Sequence, residues 1–460
     1  MSERSLLIVA LAAGKGTRMK SAVPKVLHQV GGRSLLGHVL SAASAAGADK
    51  LAVVVGPGME AVGVEAGRFV PGAATFVQER QLGTGDAVLA ARAAIESHRG
   101  DVLVVLGDTP FLTTETLVKA RRALAGDAGI AVVGFEARDP TGYGRLLQDG
   151  DGSILAIREE KEATDAERSI RLCNSGVIGF RSERMFEILS AIRNDNAKGE
   201  YYLTDAIEIG RSKGVRAVAV LGDETEMLGI NDRAQLAAAE RIFQDRRRAD
   251  FMADGVTMIA PETVYVAYDT VIGRDVVIEP FVVLGPGVSI ADNVHVKSFT
   301  YLVGKDAKSD KGIVLGDESE IGPFTRMRPG TTVGEGAHVG NFVELKNSTL
   351  GPGAKASHLA YLGDGRVGAK ANIGAGTIFC NYDGYNKHVT EIGEGAFVGS
   401  NTSLVAPVRI GAGAYVGSGS VITRDVGPDA LALERAKQEE RPDWARKFRQ
   451  VMARRKSAKS

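Results

Sequence analysis

The sequence predicts a doubly wound α/β domain followed by a parallel β-helix of hexapeptide repeats, the two joined by a helical arm. Across residues 6–228 short apolar runs alternate with alanine-rich stretches of helical spacing. Beyond Gly255 an aliphatic residue returns at every sixth position. The length, 460 residues, is about three times a common single-domain length. Glycine, at 57 residues against 14 prolines, is abundant without a collagen period, as repeated tight turns require.

In the first half, Leu6–Ala12, Leu51–Val55, Val102–Leu106, Ile130–Phe135 and Val177–Phe180 read as buried strands, because a parallel sheet covered on both faces loses polar alternation. Leu35–Ala46, Gly85–Ser97 and Thr114–Leu124 carry apolar residues at helical spacing between them. Residues 231–252 read as a charged connecting helix with Leu236, Ala239, Ile242 and Phe243 on one side. The expected divisions are 1–228, a linker helix over 229–254, a β-helix over 255–435 and a basic tail over 436–460.

In the second half Ile272, Ile278, Leu284, Ile290 and Val296 lie six apart, as do Leu315, Ile321, Met327, Val333, Val339 and Leu345. After two five-residue steps the period resumes at Val367, Ile373 and Phe379, then runs from Ile392 to Ile422. One strand per hexad and three hexads per coil build a triangular prism with the aliphatics stacked inside. The breaks between Val296 and Leu315 and between Phe379 and Ile392 read as loops leaving the prism, where function is usually carried.

Composition bounds the function. Lys+Arg and Asp+Glu both total 56, so the whole-chain charge footprint of a nucleic-acid binder is missing. Two cysteines, Cys173 and Cys380, are too few for a disulfide framework or zinc cluster and suit a reducing cytosol. The early apolar run Leu6–Ala13 is too short to span a bilayer. A soluble cytoplasmic protein acting on small molecules, with no nucleic-acid or membrane partner, is expected. The basic stretch Arg446–Lys459 reads as a solvated, partly mobile tail.

Directly after the first strand comes Leu11-Ala12-Ala13-Gly14-Lys15-Gly16-Thr17-Arg18-Met19, then Pro24-Lys25. Met19 stands where a dinucleotide fingerprint needs glycine, and no P-loop spacing follows. Small residues at the start of a helix, with Lys15, Arg18 and Lys25 nearby, still have the physics of a phosphate cradle. Asp108 ends an apolar strand at the carboxyl edge of the sheet, where it is a metal ligand or a turn organiser. Asn231 alone reads as the cap of the arm helix. In the second half Arg328, Lys346, His358, Tyr361 and Asn372, with the excursion Cys380–His388, put polar side chains beside regular coils.

The first of these segments resembles the L-A-A-G-x-G-T-R-M…P-K-V-L signature of sugar-nucleotide pyrophosphorylases. Together with the hexapeptide half, essentially the whole chain is similar to the bifunctional N-acetylglucosamine-1-phosphate uridyltransferase/glucosamine-1-phosphate acetyltransferase family. The resemblance implies a nucleotidyltransferase domain that uses UTP and Mg2+, a left-handed β-helix that uses acetyl-CoA, and a homotrimer with acetyl sites between subunits. It places Leu11, Ala12, Ala13, Gly14, Gln78, Gly83 and Thr84 at the nucleotide, and Arg18 and Lys25 as catalytic cations on the phosphates. Gly144, Glu159 and Asn174 match groups that hold the acetylated sugar, and Asp108 and Asn231 match the magnesium ligands. His358 matches the general base, with Glu344 either polarising it or facing outward from its strand. Arg328, Lys346, Tyr361, Asn372 and Lys387 match aminosugar-phosphate ligands. Asn381, Tyr382, Ser400, Ser418 and Arg435 match the acetyl-CoA site. The competing expectation is a monofunctional pyrophosphorylase whose β-helix serves only to assemble the oligomer.

Overall fold

The structure is a computed structural model that describes residues 4–196 and 198–458. The chain separates into two compact units, residues 1–246 and 247–460. Among the described residues no helix is long and apolar enough to cross a membrane.

The first unit is built on one sheet: β1 (Ser5–Leu11), β2 (Lys50–Val55), β3 (Ala74–Val77), β4 (Gly100–Leu106), β5 (Ile130–Glu136), β6 (Arg145–Gln148), β7 (Ile154–Arg158), β8 (Leu172–Arg181) and β9 (Ala217–Leu221). Its order is β9-β5-β8-β4-β1-β2-β3, with β6 and β7 as a hairpin off β8. The central strands are parallel, and β8 alone on this path runs antiparallel to both neighbours among the described residues. Leu6, Ile8 and Ala10 of β1 join the core on one side of the sheet, Leu7 and Val9 the core on the other. That two-sided burial is why the strand carries no polar alternation. The helix expected over Gly85–Ser97 is two helices, Thr84–Ala90 and Arg92–Glu96, meeting at Ala91.

The segment after β1 differs from its expectation. No long helix starts there: Thr17–Met19 is a single 3₁₀ turn, a second spans Lys25–Leu27, and the first α-helix begins at Leu35. An anion at this loop meets backbone N–H groups and lysines rather than a helix macrodipole.

The arm helix runs Arg233–Ala253. Asp232, not Asn231, caps it, its Oδ1 accepting from the Gln235 N–H at 2.8 Å, which leaves the Asn231 amide oxygen for other work. Phe243 lies against Gly31, whose φ is +57° and whose Cβ would fall 2.2 Å from the ring, so glycine is required there.

The second unit is a three-sided prism of parallel strands, with sheets of ten, nine and eight strands among the described residues. Ile278, Val296, Ile321, Val339, Ala356, Ile373, Val398 and Val416 are successive partners on the first face, and all are buried. Leu284, Leu302, Met327, Leu345 and Leu362 stack likewise on the second face, and Ile290, Leu315, Val333, Leu350, Val367, Ile392 and Ile410 on the third. Both five-residue steps turn the corner from second to third face, at Asn347 and Asp364. There the buried Asp364 carboxylate accepts from Asn347 at 2.8 Å and from Asn381 at 2.5 Å. The first break is shorter than expected, because Tyr301–Leu302 keeps the period and only residues 303–312 leave the prism. The tail contains a helix, Trp444–Ser457, with every residue exposed; Lys459, the end of the expected basic stretch, lies outside the described residues.

Candidate functional site

Functional side chains gather in two places. In the first unit a cavity of about 510 Å³ opens at the carboxyl ends of β1 and β4, where an open parallel sheet binds ligands. Leu11, Ala12, Ala13, Gly14, Lys15, Lys25, Gln78, Gly83, Thr84, Asp108 and Glu159 line it. Arg18 is exposed and outside that lining. At the cavity edge the Lys25 ammonium donates to Asp108 Oδ2 and to Asn231 Oδ1, the latter at 3.0 Å. A hydrogen bond from the Ile230 N–H to the Asp108 carbonyl, 3.0 Å, brings Asn231 to this strand end. Two hard oxygens, one of them charged, therefore converge on a single cation, and that donor set suits Mg2+ completed by phosphate and water oxygens. Among the described residues no larger His/Cys/Asp/Glu group offers a softer site.

The far wall is held by Asp86. It accepts from Gln78 Nε2 at 2.9 Å and from the Leu82 N–H at 3.2 Å, while Gln78 also donates to the Gly83 carbonyl at 3.0 Å. With its N–H groups committed, buried Gln78 presents its amide oxygen as an acceptor. Gly83 has φ +104°, and a Cβ there would lie 2.7 Å from the Tyr201 carbonyl oxygen. Glu159 accepts from Thr204 at 3.3 Å, and burial pushes its carboxyl above the usual range. Gly144 and Asn174 lie beside it, joined by an Asn174 N–H to Gly144 carbonyl bond of 2.8 Å, without entering the cavity wall. Sequence reasoning missed Gln81, which donates to the Ala13 carbonyl at 2.6 Å, and the wall residues Lys198, Glu200 and Tyr202.

In the second unit His358 is exposed at the corner between first and second faces. Its Nδ1 lies 2.7 Å from Asn341 Oδ1 on the preceding coil. An amide oxygen can only accept, so this contact keeps the proton on Nδ1 and leaves the Nε2 lone pair outward, as a general base needs. Asn341, too, is a residue the sequence did not disclose. Glu344 is not the partner: it is engaged by Arg328 at 3.3 Å and Arg326 at 3.6 Å. Ser400 and Ser418 follow on the same corner, linked by the Gly419 N–H to Ser400 carbonyl bond of 2.8 Å, and Arg435 donates to the Ser418 carbonyl at 3.0 Å.

A second group lies on the second face and its far edge. Lys387 stands against Lys346 and, with burial next, holds that amine below the ordinary lysine value; Arg328 adds to the repulsion. Crowded cations of this kind call for an anion. The Tyr361 hydroxyl lies over Gly363, where a Cβ would sit 2.5 Å from it and 2.7 Å from Asn381 Nδ2. Tyr382 pairs with Lys387 across the excursion, whose turn is organised by Asp383 accepting from the Tyr385 and Asn386 N–H groups at 2.8 and 2.6 Å. Asn372 is not part of this group; its strand is on the first face.

Both units have counterparts among known proteins. Residues 8–206 match the MobA-like NTP transferase domain, and residues 269–304 and 390–424 match the bacterial transferase hexapeptide repeat. Over 454 residues the chain is 56% identical to the bifunctional protein GlmU of Bradyrhizobium sp. (strain ORS 278), covering 99% of each. It is 55% identical over 449 residues to that of Xanthobacter autotrophicus, 98% of each, and 53% identical over 460 residues to that of Rhodopseudomonas palustris (strain BisB5), 100% of each. A likeness this high through both units removes the monofunctional alternative, and the chain belongs to the bifunctional GlmU family of uridyltransferase–acetyltransferase enzymes.

Proposed function

We propose that the second unit transfers the acetyl group of acetyl-CoA to glucosamine 1-phosphate, and that the first transfers a uridylyl group from UTP to the product, releasing pyrophosphate and forming UDP-N-acetylglucosamine. The reading is carried by the separation of the two gatherings: oxygens converging on one cation in the first unit, and an oriented imidazole with crowded lysines in the second.

In acetyl transfer Lys346, Lys387 and Arg328 hold the sugar phosphate. His358 Nε2 takes a proton from the sugar ammonium while Nδ1–H stays on Asn341. The freed amine attacks the thioester carbonyl, the C–S bond breaks, and the departing thiolate leaves as free coenzyme A after protonation. No covalent enzyme intermediate is needed, so Cys380 has no role in the step. Ser400, Ser418 and Arg435 border the acetyl-CoA site, with Asn381 and Tyr382 near the acetyl carbon.

In uridylyl transfer a phosphate oxygen of N-acetylglucosamine 1-phosphate attacks the α-phosphorus and the bond to the β-phosphate oxygen breaks. Positioning and charge neutralisation carry such a step. Gln78, Gly83 and Thr84 orient the nucleoside, Glu159 with Gly144 and Asn174 the acetylated sugar, and Lys15, Arg18 and Lys25 the phosphates. Mg2+, held by Asp108 and Asn231, supplies charge neutralisation to the phosphates when bound, and Lys25 then moves from these oxygens to the nucleotide. The copies assemble as a homotrimer, and the enzyme works in the cytoplasm.

The test is a coupled assay on the full-length chain. Thiol release from acetyl-CoA with glucosamine 1-phosphate, and magnesium-dependent pyrophosphate release from UTP with N-acetylglucosamine 1-phosphate, are both expected. His358→Ala removes only the first and chelation of divalent metal only the second. Absence of either activity from the wild-type chain refutes the reading.

A further inference from the structure

The corner between second and third faces changes composition as it nears the crowded lysines. Its left-handed positions are glycine on the earlier coils, at Gly287, Gly312 and Gly330. On the two coils that take five-residue steps they are Asn347, with φ +47°, and Asp364, with φ +52°. Asparagine and aspartate both tolerate this conformation. Turning the corner therefore accounts for a small residue at 364, but glycine or asparagine would serve there without a charge.

The charge is nevertheless buried. Asp364 is 8% exposed and Asn381, against it, 6%. A carboxylate removed from water is costly unless its oxygens are occupied, and here a neutral amide occupies each. Asn347 Nδ2 donates to Oδ1 at 2.8 Å and Asn381 Nδ2 to Oδ2 at 2.5 Å. Asn347 is itself held one way round, because Lys311 donates to its Oδ1 at 3.0 Å and leaves only its NH2 for residue 364.

That fixed end decides what residue 364 must be. To take an N–H from Asn347 and another from Asn381 it has to accept on both sides, which a carboxylate does. An asparagine has one oxygen; with that oxygen on Asn347 it would offer NH2 to Asn381 and turn the Asn381 amide over. Asp364 thus selects the donating end of Asn381 for itself and leaves Oδ1 to accept elsewhere. Gly363 permits the approach, since a Cβ there would lie 2.7 Å from Asn381 Nδ2. For an amine about to attack a thioester the choice matters. An accepting oxygen holds an amine N–H and leaves the nitrogen lone pair to the carbonyl carbon, whereas an NH2 in its place would bond to that lone pair and mask the nucleophile.

We propose that Asp364 is a positioning residue for acetyl transfer, holding the Asn381 amide so that its oxygen receives the attacking amine. This rests on the acetyl-transfer reading of the second unit and adds a residue to it. The Asp364 backbone is tied to the same region: its N–H donates to the Lys346 carbonyl at 2.9 Å, and its carbonyl accepts from the Thr390 N–H at 3.2 Å, where the excursion rejoins the prism. Those bonds do not involve the side chain, so substitution tests the carboxylate apart from the corner.

The test is Asp364→Asn and Asp364→Gly in the full-length chain. Both residue types already occupy this corner, at Asn347 and Gly330, so the fold is kept. In each variant kcat for thiol release from acetyl-CoA with glucosamine 1-phosphate is expected to fall at least tenfold, with KM for acetyl-CoA within twofold of wild type and uridylyl transfer unchanged. The exchange Asp364→Asn/Asn381→Asp restores acceptance on both sides, one carboxylate oxygen at 381 taking the new NH2 and the other facing outward. It is expected to raise kcat at least fivefold over Asp364→Asn. A kcat within twofold of wild type in either single variant overturns the inference. A loss that the exchange leaves unrelieved assigns the carboxylate to the fold alone and overturns it as well. A wild-type chain that releases no thiol refutes the acetyl-transfer reading itself, a result distinct from both.

Discussion

Replacing Asn341 by alanine removes the acceptor 2.7 Å from His358 Nδ1 while leaving the strand pairing that carries both residues. The histidine is exposed, so water replaces part of what is lost, and the net worth of the hydrogen bond is about 1 kcal/mol. Spent on holding one tautomer and one ring orientation, that amount corresponds to a roughly fivefold fall in the competent population, and kcat for acetyl transfer should fall by the same factor. The KM values for glucosamine 1-phosphate and acetyl-CoA should barely change if Asn341 acts only through the His358 ring. Asn341→Asp should recover activity and move the acid limb of the pH–rate profile upward, since a carboxylate favours the imidazolium. The assay is thiol release followed from pH 5.5 to 9, with uridylyl transfer of the same preparations as the folding control. A kcat within twofold of wild type for the alanine variant, or an equal loss of both activities, refutes the positioning role.

Three further outcomes are expected. Gly363→Ala would place a methyl group 2.5 Å from the Tyr361 hydroxyl, so acetyl transfer should be lost and uridylyl transfer kept, which the two assays report separately. Asp86→Ala frees Gln78 and the loop before Gly83; loss of this half-buried anchor, about 1–2 kcal/mol, should raise the KM for UTP roughly tenfold with little effect on acetylation. Asp205 is pushed up to about 6 by burial first and then by Glu162, Glu208 and Glu159, so its charged form is disfavoured in the fold. Its stability contribution is present below the unfolded value of 3.8 and lost as pH rises through 6. Asp205→Asn should therefore slow thermal loss of uridylyl transfer at pH 8 and leave it unchanged at pH 4.

The prism was legible because its period is covalent: one aliphatic per hexad is a property of the chain before any folding. The doubly wound unit was legible because burial on two sides removes polar alternation from β1, β4 and β5. What escaped depended on distance in sequence or on degenerate local signals. Asn341 and His358 are 17 residues apart, and only the coil length created by a five-residue step brings them together. Lys25 and Asn231 are 206 residues apart, so their meeting could be expected only from resemblance. The small residues after β1 fit a 3₁₀ turn as well as a long helix, and Leu302 lacks the following glycine that marks most hexads. Glu344 matched a polarising role only by resemblance, and two arginines beside it on the second face claim it first.

The regular coils of the prism repeat as modules of 18 residues, as Ile278 pairing with Val296 shows. Because each such rung leans only on the one above and the one below, the column behaves as a ladder whose height is adjustable in whole steps. Inserting or removing a complete rung ahead of residue 296 should leave Asn341, His358, Lys346 and Tyr361 in unchanged mutual register. Column height and acetyl-transfer chemistry are thus independently variable traits in one continuous polypeptide.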